Sequence, residues 1–249
     1  PWQIRDYISL NDSQKDYLDH RLTHHLAWHR RTQLPDYALF LRKTAKQISD
    51  GLTRDELVHI NSQLEIFGRT LTKQIAPDVA QLFLTSSDTQ LTNTYRKFEQ
   101  TNAKFQKEYI DISEEKLRKK RLKETQHYLE RWLGGLTREQ QDALKDWSQK
   151  FKPIRQNLME NRLSWQKDFR SLMAKKSEHS PATKEIVDLF SRPDKNWNSE
   201  YNEKIIYNKN LLVTLFQKID TLLTKRQRKK LNKKLTSLAR DLEELAVHP

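Results

Sequence analysis

The apolar residues of this chain recur at intervals of three and four along nearly its whole length, and no stretch alternates with period two over more than a few residues. That rhythm belongs to α-helices turning one stripe inward, so it excludes sheets and sets the fold class as all-α. The 249 residues include only four glycines, whereas β-sandwiches and nucleotide-binding α/β folds need more of them for their turns. Hydrophobic residues make up 35% and charged residues 32%, so the buried stripes must be narrow. The expected architecture is a multi-helix bundle or an elongated curved array of about ten helices.

Leu18, Leu22, His25, Leu26 and His29 share a face of a helix expected over 11–31. Leu34-Pro35 breaks it and opens a second helix, with Tyr37, Phe40, Leu41, Thr44 and Ile48 inward and Gly51 as its stop. Leu57, Ile60, Leu64, Phe67 and Leu71 form an a/d series expected to end before Pro77. Further helices are expected over 87–109, 113–133 and 137–150, followed by a long one after Pro153. Residues 177–199 are the least regular, around a short helix at 183–190, and two leucine-rich helices close the chain. The whole reads as one helical unit over 1–249, or as halves 1–133 and 136–249 joined at Gly134-Gly135.

One helix start recurs. Leu-Thr-Arg-Glu-Gln at 136–140 and Leu-Thr-Lys-Arg-Gln at 223–227 both read L-T-x-x-Q. Leu-Thr-Arg-Asp-Glu at 52–56 and Leu-Asn-Asp-Ser-Gln at 10–14 are close variants. A Thr or Asn at N-cap accepts a bond from the third helical N–H, and the Gln or Glu there reaches back to the cap's own N–H. Such a cap contributes about 1 kcal/mol. The spacings between the four are unequal, so they do not define a solenoid repeat.

Two resemblances attach to these residues. L-T-x-x-Q at 136–140 and 223–227, in a basic helical chain, is similar to the Spy and CpxP group of periplasmic proteins, whose curved helical hairpins shield unfolded proteins or sense envelope stress. More widely, Leu-Ala-Trp-His-Arg-Arg-Thr-Gln-Leu-Pro at 26–35, with Tyr37 and Phe40-Leu41, resembles the N-terminal signature of an uncharacterised family of bacterial all-helical, outer-membrane-type lipoproteins. Glu-Arg-Trp-Leu-Gly-Gly-Leu-Thr-Arg-Glu-Gln at 130–140, with Trp147, resembles its central signature. That family implies export to the periplasm and anchoring through a lipidated N-terminal Cys, here expected upstream of Pro1, and it brings no activity with it.

The chain contains no Cys, which removes disulfides, thiol catalysis and cysteine-built zinc sites. His20, His24, His25 and His29 are dense enough to weigh as metal ligands. At about 100° per residue His25 and His29 fall on the Leu18/Leu22 face, while His20 and His24 project from nearly the opposite side. One ion therefore cannot take all four. The expectation for His25 and His29 is a core role bonded to a neighbouring helix, and no metal or other cofactor is expected.

Lys and Arg total 46 against 33 Asp and Glu, a net charge of +13. Two runs concentrate the cations, Lys116, Arg118, Lys119, Lys120, Arg121 and Lys123 in one, and Lys225, Arg226, Arg228, Lys229, Lys230, Lys233 and Lys234 in the other. These are the expected binding surface, for unfolded or envelope proteins or for anionic envelope components. Trp2 and Trp197, in irregular segments, are the candidate partner contacts, whereas Trp132, Trp147 and Trp165 occupy helix faces and are expected in the core. No G-x-S-x-G, phosphate-binding Gly loop or dinucleotide fingerprint is present. The function expected is that of a non-enzymatic envelope lipoprotein that binds, scaffolds or chaperones. A nucleic-acid-binding protein and a hydrolase using helix-borne histidines and a metal are the alternatives.

Overall fold

The computed structural model describes residues 6–176, 181–195 and 197–247. Within them the regular structure is helical throughout: α1 (Asp12–Trp28), α2 (Leu34–Asp50), α3 (Arg54–Leu84), α4 (Asp88–Phe105), α5 (Glu114–Leu133), α6 (Arg138–Lys150), α7 (Arg155–Ala174), α8 (Pro181–Ser191), α9 (Ser199–Thr221) and α10 (Lys225–Val247). Wide π-type turns, His29–Gln33 and Gln106–Ile110, extend the helical path.

Two expected breaks are not breaks. The first turn of α2 carries Pro35, where a missing N–H costs nothing, and the π-turn before it keeps the chain helical from α1 into α2. Pro77 lies inside α3. An interior proline costs a helix roughly 3 kcal/mol, but Ala76 just before it and Ala80, Leu82 and Phe83 beyond it are all nearly inaccessible, and their burial holds the helix together. The a/d series before Pro77 is correspondingly looser than its spacing suggests: Leu57 is buried, while Leu64 is 54% exposed.

The chain forms two compact units, each assembled from separated stretches. Unit 1 takes residues 1–26, 67–112 and 154–202, and unit 2 takes 27–66, 113–153 and 203–249. Gly134-Gly135, the expected joint between halves, lies inside unit 2 as the link from α5 to α6. The core of unit 1 is aromatic. Phe83, Phe98 and Phe169 are buried, with Trp165 stacked on Phe169 at 5.5 Å and Phe190 stacked on Phe83 at 5.7 Å. The core of unit 2 is mainly aliphatic, built from Leu129, Leu133, Leu144, Leu215 and Ile219 around Trp147, with Ala45, Ile48 and Leu235 where α2 meets α10.

Each unit is fastened by the same device. In unit 2, Thr137 and Gln140 form a reciprocal capping box at the start of α6, and Thr224 and Gln227 do the same at α10. Both glutamines are buried, Gln140 completely. Gln140 Nε2 donates to Gln227 Oε1 at 2.9 Å, and Gln227 Nε2 donates back to Gln140 Oε1 at 3.0 Å. The remaining amide hydrogens go to main-chain oxygens just ahead of the other's cap, from Gln140 to Leu222 and from Gln227 to Gly135.

Unit 1 repeats the pattern with the box of Asn11 and Gln14 and the box of Ser87 and Gln90. Gln90 Nε2 donates to Gln14 Oε1 at 2.7 Å and to the Ser9 carbonyl, and Gln14 Nε2 donates to the Thr85 carbonyl. All four carbonyls stand two residues before the partner's N-cap. Thr53 and Glu56 also form a capping box, but Glu56 turns to Gln47 and joins no such pair.

Gln140→Ala and Gln227→Ala are each expected to destabilise the fold by about 1–3 kcal/mol, because the surviving partner is left buried with unmet donors and acceptors. The double substitution is expected to cost clearly less than the sum, as interacting neighbours do. Urea unfolding of the four species measures this, and strictly additive losses would argue against the lock.

Candidate functional site

Among the described residues, each unit carries an open apolar groove. The groove of unit 1 encloses about 530 Å³ and is walled by Tyr7, Phe83, Phe98, Trp165, Phe190 and Trp197. Helix α7 supplies its floor. Phe169 and Met173 point from α7 into the core, while Leu158 (39% exposed), Asn161 and Trp165 turn toward the groove. Trp165 is held by an Nε1 bond to the Leu189 carbonyl at 3.1 Å. The polar groups at the groove are fixed from behind: Arg162 donates to Asn102 Oδ1 at 2.6 Å and to Thr101 Oγ1 at 2.7 Å, and Gln166 exchanges bonds with Asn102. The Asn161 amide nitrogen is buried there with no protein partner.

Of the two tryptophans singled out as partner contacts, Trp197 lies on this groove, packed edge-on against Tyr201 at 4.6 Å. Trp2 lies outside the described residues. Among the tryptophans expected in the core, Trp147 is buried, whereas Trp165 is half-buried and forms groove wall. Sequence reasoning missed the groove because its aromatics come from six separate stretches of chain, Tyr7, α3, α4, α7, α8 and residues 197–201. Only their abundance in a polar chain signals it.

The second groove encloses about 300 Å³ and is lined by residues of α2, α3, α5, α9 and α10, among them Leu57, Tyr128, Trp132, Phe216 and Leu231. Both basic runs belong to this unit, on α5 and α10. Unit 2 carries 28 Lys and Arg against 17 Asp and Glu, a net +11, while unit 1 carries 18 against 16, a net +2.

Not every cation of the runs faces outward. Arg121 lies over the Phe151 ring and reaches Glu114 and the Ser148 carbonyl. Arg228 binds Asp220 at 3.0 Å and the Ile48 carbonyl, so it holds α2 to α10. Lys234 donates to the Arg131 carbonyl beside the Trp132 ring. Lys119 pairs with Glu115 at 2.7 Å. Lys116, Lys120, Lys123, Lys225, Arg226, Lys229, Lys230 and Lys233 are exposed, and Arg118 is half-buried.

The histidines divide as their spacing predicts. His25 stands with Nε2 2.5 Å from Asp78 Oδ2, and Tyr17 donates to Asp78 Oδ1 at 2.7 Å, with Arg21 also 2.8 Å from it. Burial pushes the Asp78 carboxyl up, but the bonds from Tyr17, Arg21 and His25 outweigh it and hold it below the ordinary carboxylate value. The Tyr17 phenol is pushed up to about 12, by burial first and then by its bond to Asp78. His29 lies edge-on to Tyr37 at 5.5 Å, and burial lowers its pKa. His20 and His24 are exposed. Among the described residues no three His, Cys, Asp or Glu side chains are grouped to hold a metal ion, and no helix is long and apolar enough to cross a membrane.

The model of a family of unknown function matches residues 6–202. No curated protein and no solved structure matches the chain.

The Asp78 cluster gives a pH signature. A carboxylate with a lowered folded pKa stabilises fully above the unfolded value of about 3.9 and loses that contribution as pH falls through the folded value. Tyr17 acts oppositely, contributing below about 10 and losing the contribution as pH rises toward about 12. Asp78→Asn is expected to cost roughly 3 kcal/mol at neutral pH, since it strips the charged partner from Arg21 and His25. The gap to wild type should close on acidification, as protonated Asp78 comes to resemble Asn. Urea melts at neutral and acid pH test this, and a gap independent of pH would refute it.

Proposed function

The chain belongs to DUF6279, a family of unknown function, and within it we propose a non-catalytic protein-binding module of the bacterial periplasm, chaperone-like in action. The observation that carries this reading is the aromatic groove of unit 1. An open cavity of about 530 Å³ walled by seven aromatic side chains suits the bulky apolar side chains that an incompletely folded protein exposes. Stacked and edge-on ring pairs hold Trp165 and Phe190 in place, so little ordering is needed on binding.

Further support comes from the surface chemistry. Large apolar side chains such as Ile206 (59% exposed), Leu64 and Ile66 stay in solvent, beside abundant charge that keeps the chain itself dispersed. The periplasmic assignment rests on the likeness of residues 26–35 and 130–140 to helical lipoprotein signatures.

The purified protein is expected to suppress aggregation of a chemically unfolded client at near-stoichiometric ratio. Leu158→Asp and Trp197→Ala, which alter the groove without touching the buried Phe83/Phe98/Phe169 cluster, should abolish most of the suppression with an unchanged helical circular dichroism spectrum. Light scattering at several-fold excess of protein over client decides it: no suppression by the wild type would remove the reading.

A further inference from the structure

We propose that the groove of unit 2 is a docking site for acidic, amphipathic segments of partner proteins. The inference rests on the binding-module reading and names the partner class for the second groove. Three observations carry it.

The first is the wall. The groove is lined almost wholly by apolar side chains, and Tyr128, 66% exposed, and Phe216, 38% exposed, present rings to solvent from different helices. Such a surface takes the large side chains that an amphipathic helix shows at i, i+3, i+4 and i+7.

The second is the charge around it. Lys234 lies beside Trp132, a groove residue, and Lys230 lies beside Gly134, whose added Cβ would stand 3.1 Å from the ammonium nitrogen. Exposed Lys225, Arg226, Lys229 and Lys233 lie on the far side of the same helix from Leu231, so they add to the field rather than to the rim, and the unit as a whole is at net +11. A neutral apolar segment would gain nothing from this field, whereas an acidic one is steered by it and held at the rim.

The third is the state of the one carboxylate among the lining residues. Asp220 is 6% exposed, and its two oxygens are taken by Arg228 at 3.0 Å and by the Leu52 N–H at 2.9 Å. It therefore adds no repulsion against an acidic guest. Its partner position is structural as well: Gly51, at φ 94°, leaves space where a Cβ would stand 3.4 Å from Asp220 Oδ2. The negative charge at the groove is spent inside the fold, and the positive charge is left outside.

A purely polyanionic ligand, such as nucleic acid, would use the cations and ignore the apolar walls. An apolar ligand would do the reverse. Only a partner carrying both features uses the juxtaposition seen here.

The test uses the full chain and a fluorescent peptide of about 15 residues with Leu at i, i+3, i+4 and i+7 and Glu or Asp between. Controls are the same peptide with Gln and Asn for the acids, polyglutamate, a single-stranded oligonucleotide and vesicles of anionic lipid. The acidic peptide is expected to bind, with at least tenfold weaker binding of the neutral peptide. Tyr128→Ala combined with Phe216→Ala should weaken the acidic peptide several-fold at unchanged protein charge, and Lys230→Gln should weaken it without altering the apolar wall. Equal binding of the neutral peptide overturns the proposal, as does binding of polyglutamate, oligonucleotide or vesicles that matches the acidic peptide and ignores Tyr128→Ala/Phe216→Ala. Absence of peptide binding with aggregation suppression intact, still sensitive to Leu158→Asp, sinks this inference alone. Peptide binding without suppression sinks the chaperone-like reading and leaves the docking site standing.

Discussion

Two buried amide pairs decide how this chain is organised. A glutamine removed from water must have both amide hydrogens and its carbonyl satisfied, or it costs about 1–3 kcal/mol. Gln140 and Gln227 meet that demand only in one arrangement, with α6 and α10 starting side by side and the links before them close enough to lend the Leu222 and Gly135 carbonyls. Apolar packing alone tolerates sliding and rotation, whereas this bond set does not. It brings together residues 87 positions apart, and the Gln14/Gln90 pair does the same over 76. Stretches far apart in the chain are therefore fastened helix start to helix start within each unit.

With the starts fixed, narrow hydrophobic stripes suffice. α10 settles against α2 through Ala45, Ile48 and Leu235, and the contact is closed by polar groups: Asn232 to the Ala45 carbonyl at 2.7 Å, Arg42 to Glu243, and Arg228 to Asp220. Narrow stripes leave apolar residues at their margins uncovered, and the two grooves lie at such margins. The openings proposed as binding sites follow from the same composition that makes the stripes narrow: 32% charge leaves too little apolar surface to close every seam between helices.

How much of this the sequence discloses depends on range. Local features are legible, because their causes are local. Ser113, Thr137 and Thr224 cap where their spacing to Lys116, Gln140 and Gln227 says they should, and Gly51 and Gly134 end helices at positive φ. Pro77 misleads because a helix is held by what its far end buries, and Ala80 and Phe83 find their partners only in unit 1. The fourth Gln lock member escapes notice since Ser87 to Gln90 lacks the Leu-Thr spelling, although its S-x-x-Q chemistry is the same. The apolar grooves are illegible for a deeper reason. Which stripe margins stay uncovered is decided by neighbours from other parts of the chain, and spacing within one helix carries no record of them.

The position of the L-T-x-x-Q motif also bears on where activity can lie. If the glutamines of this motif took part in binding a partner, they would have to reach solvent with a donor or acceptor to spare. Here Gln140 is wholly inaccessible, Gln227 is 5% exposed, and every amide hydrogen of the two is already engaged. No donor is left to offer a guest, and exposing one would first break the lock that aligns α6 with α10. The motif's recurrence is thus accounted for by what it does inside the fold. A binding role must fall on surfaces the lock positions, where aromatic and apolar side chains remain uncovered, and these surfaces can diverge in charge between the two units while the lock stays the same in both.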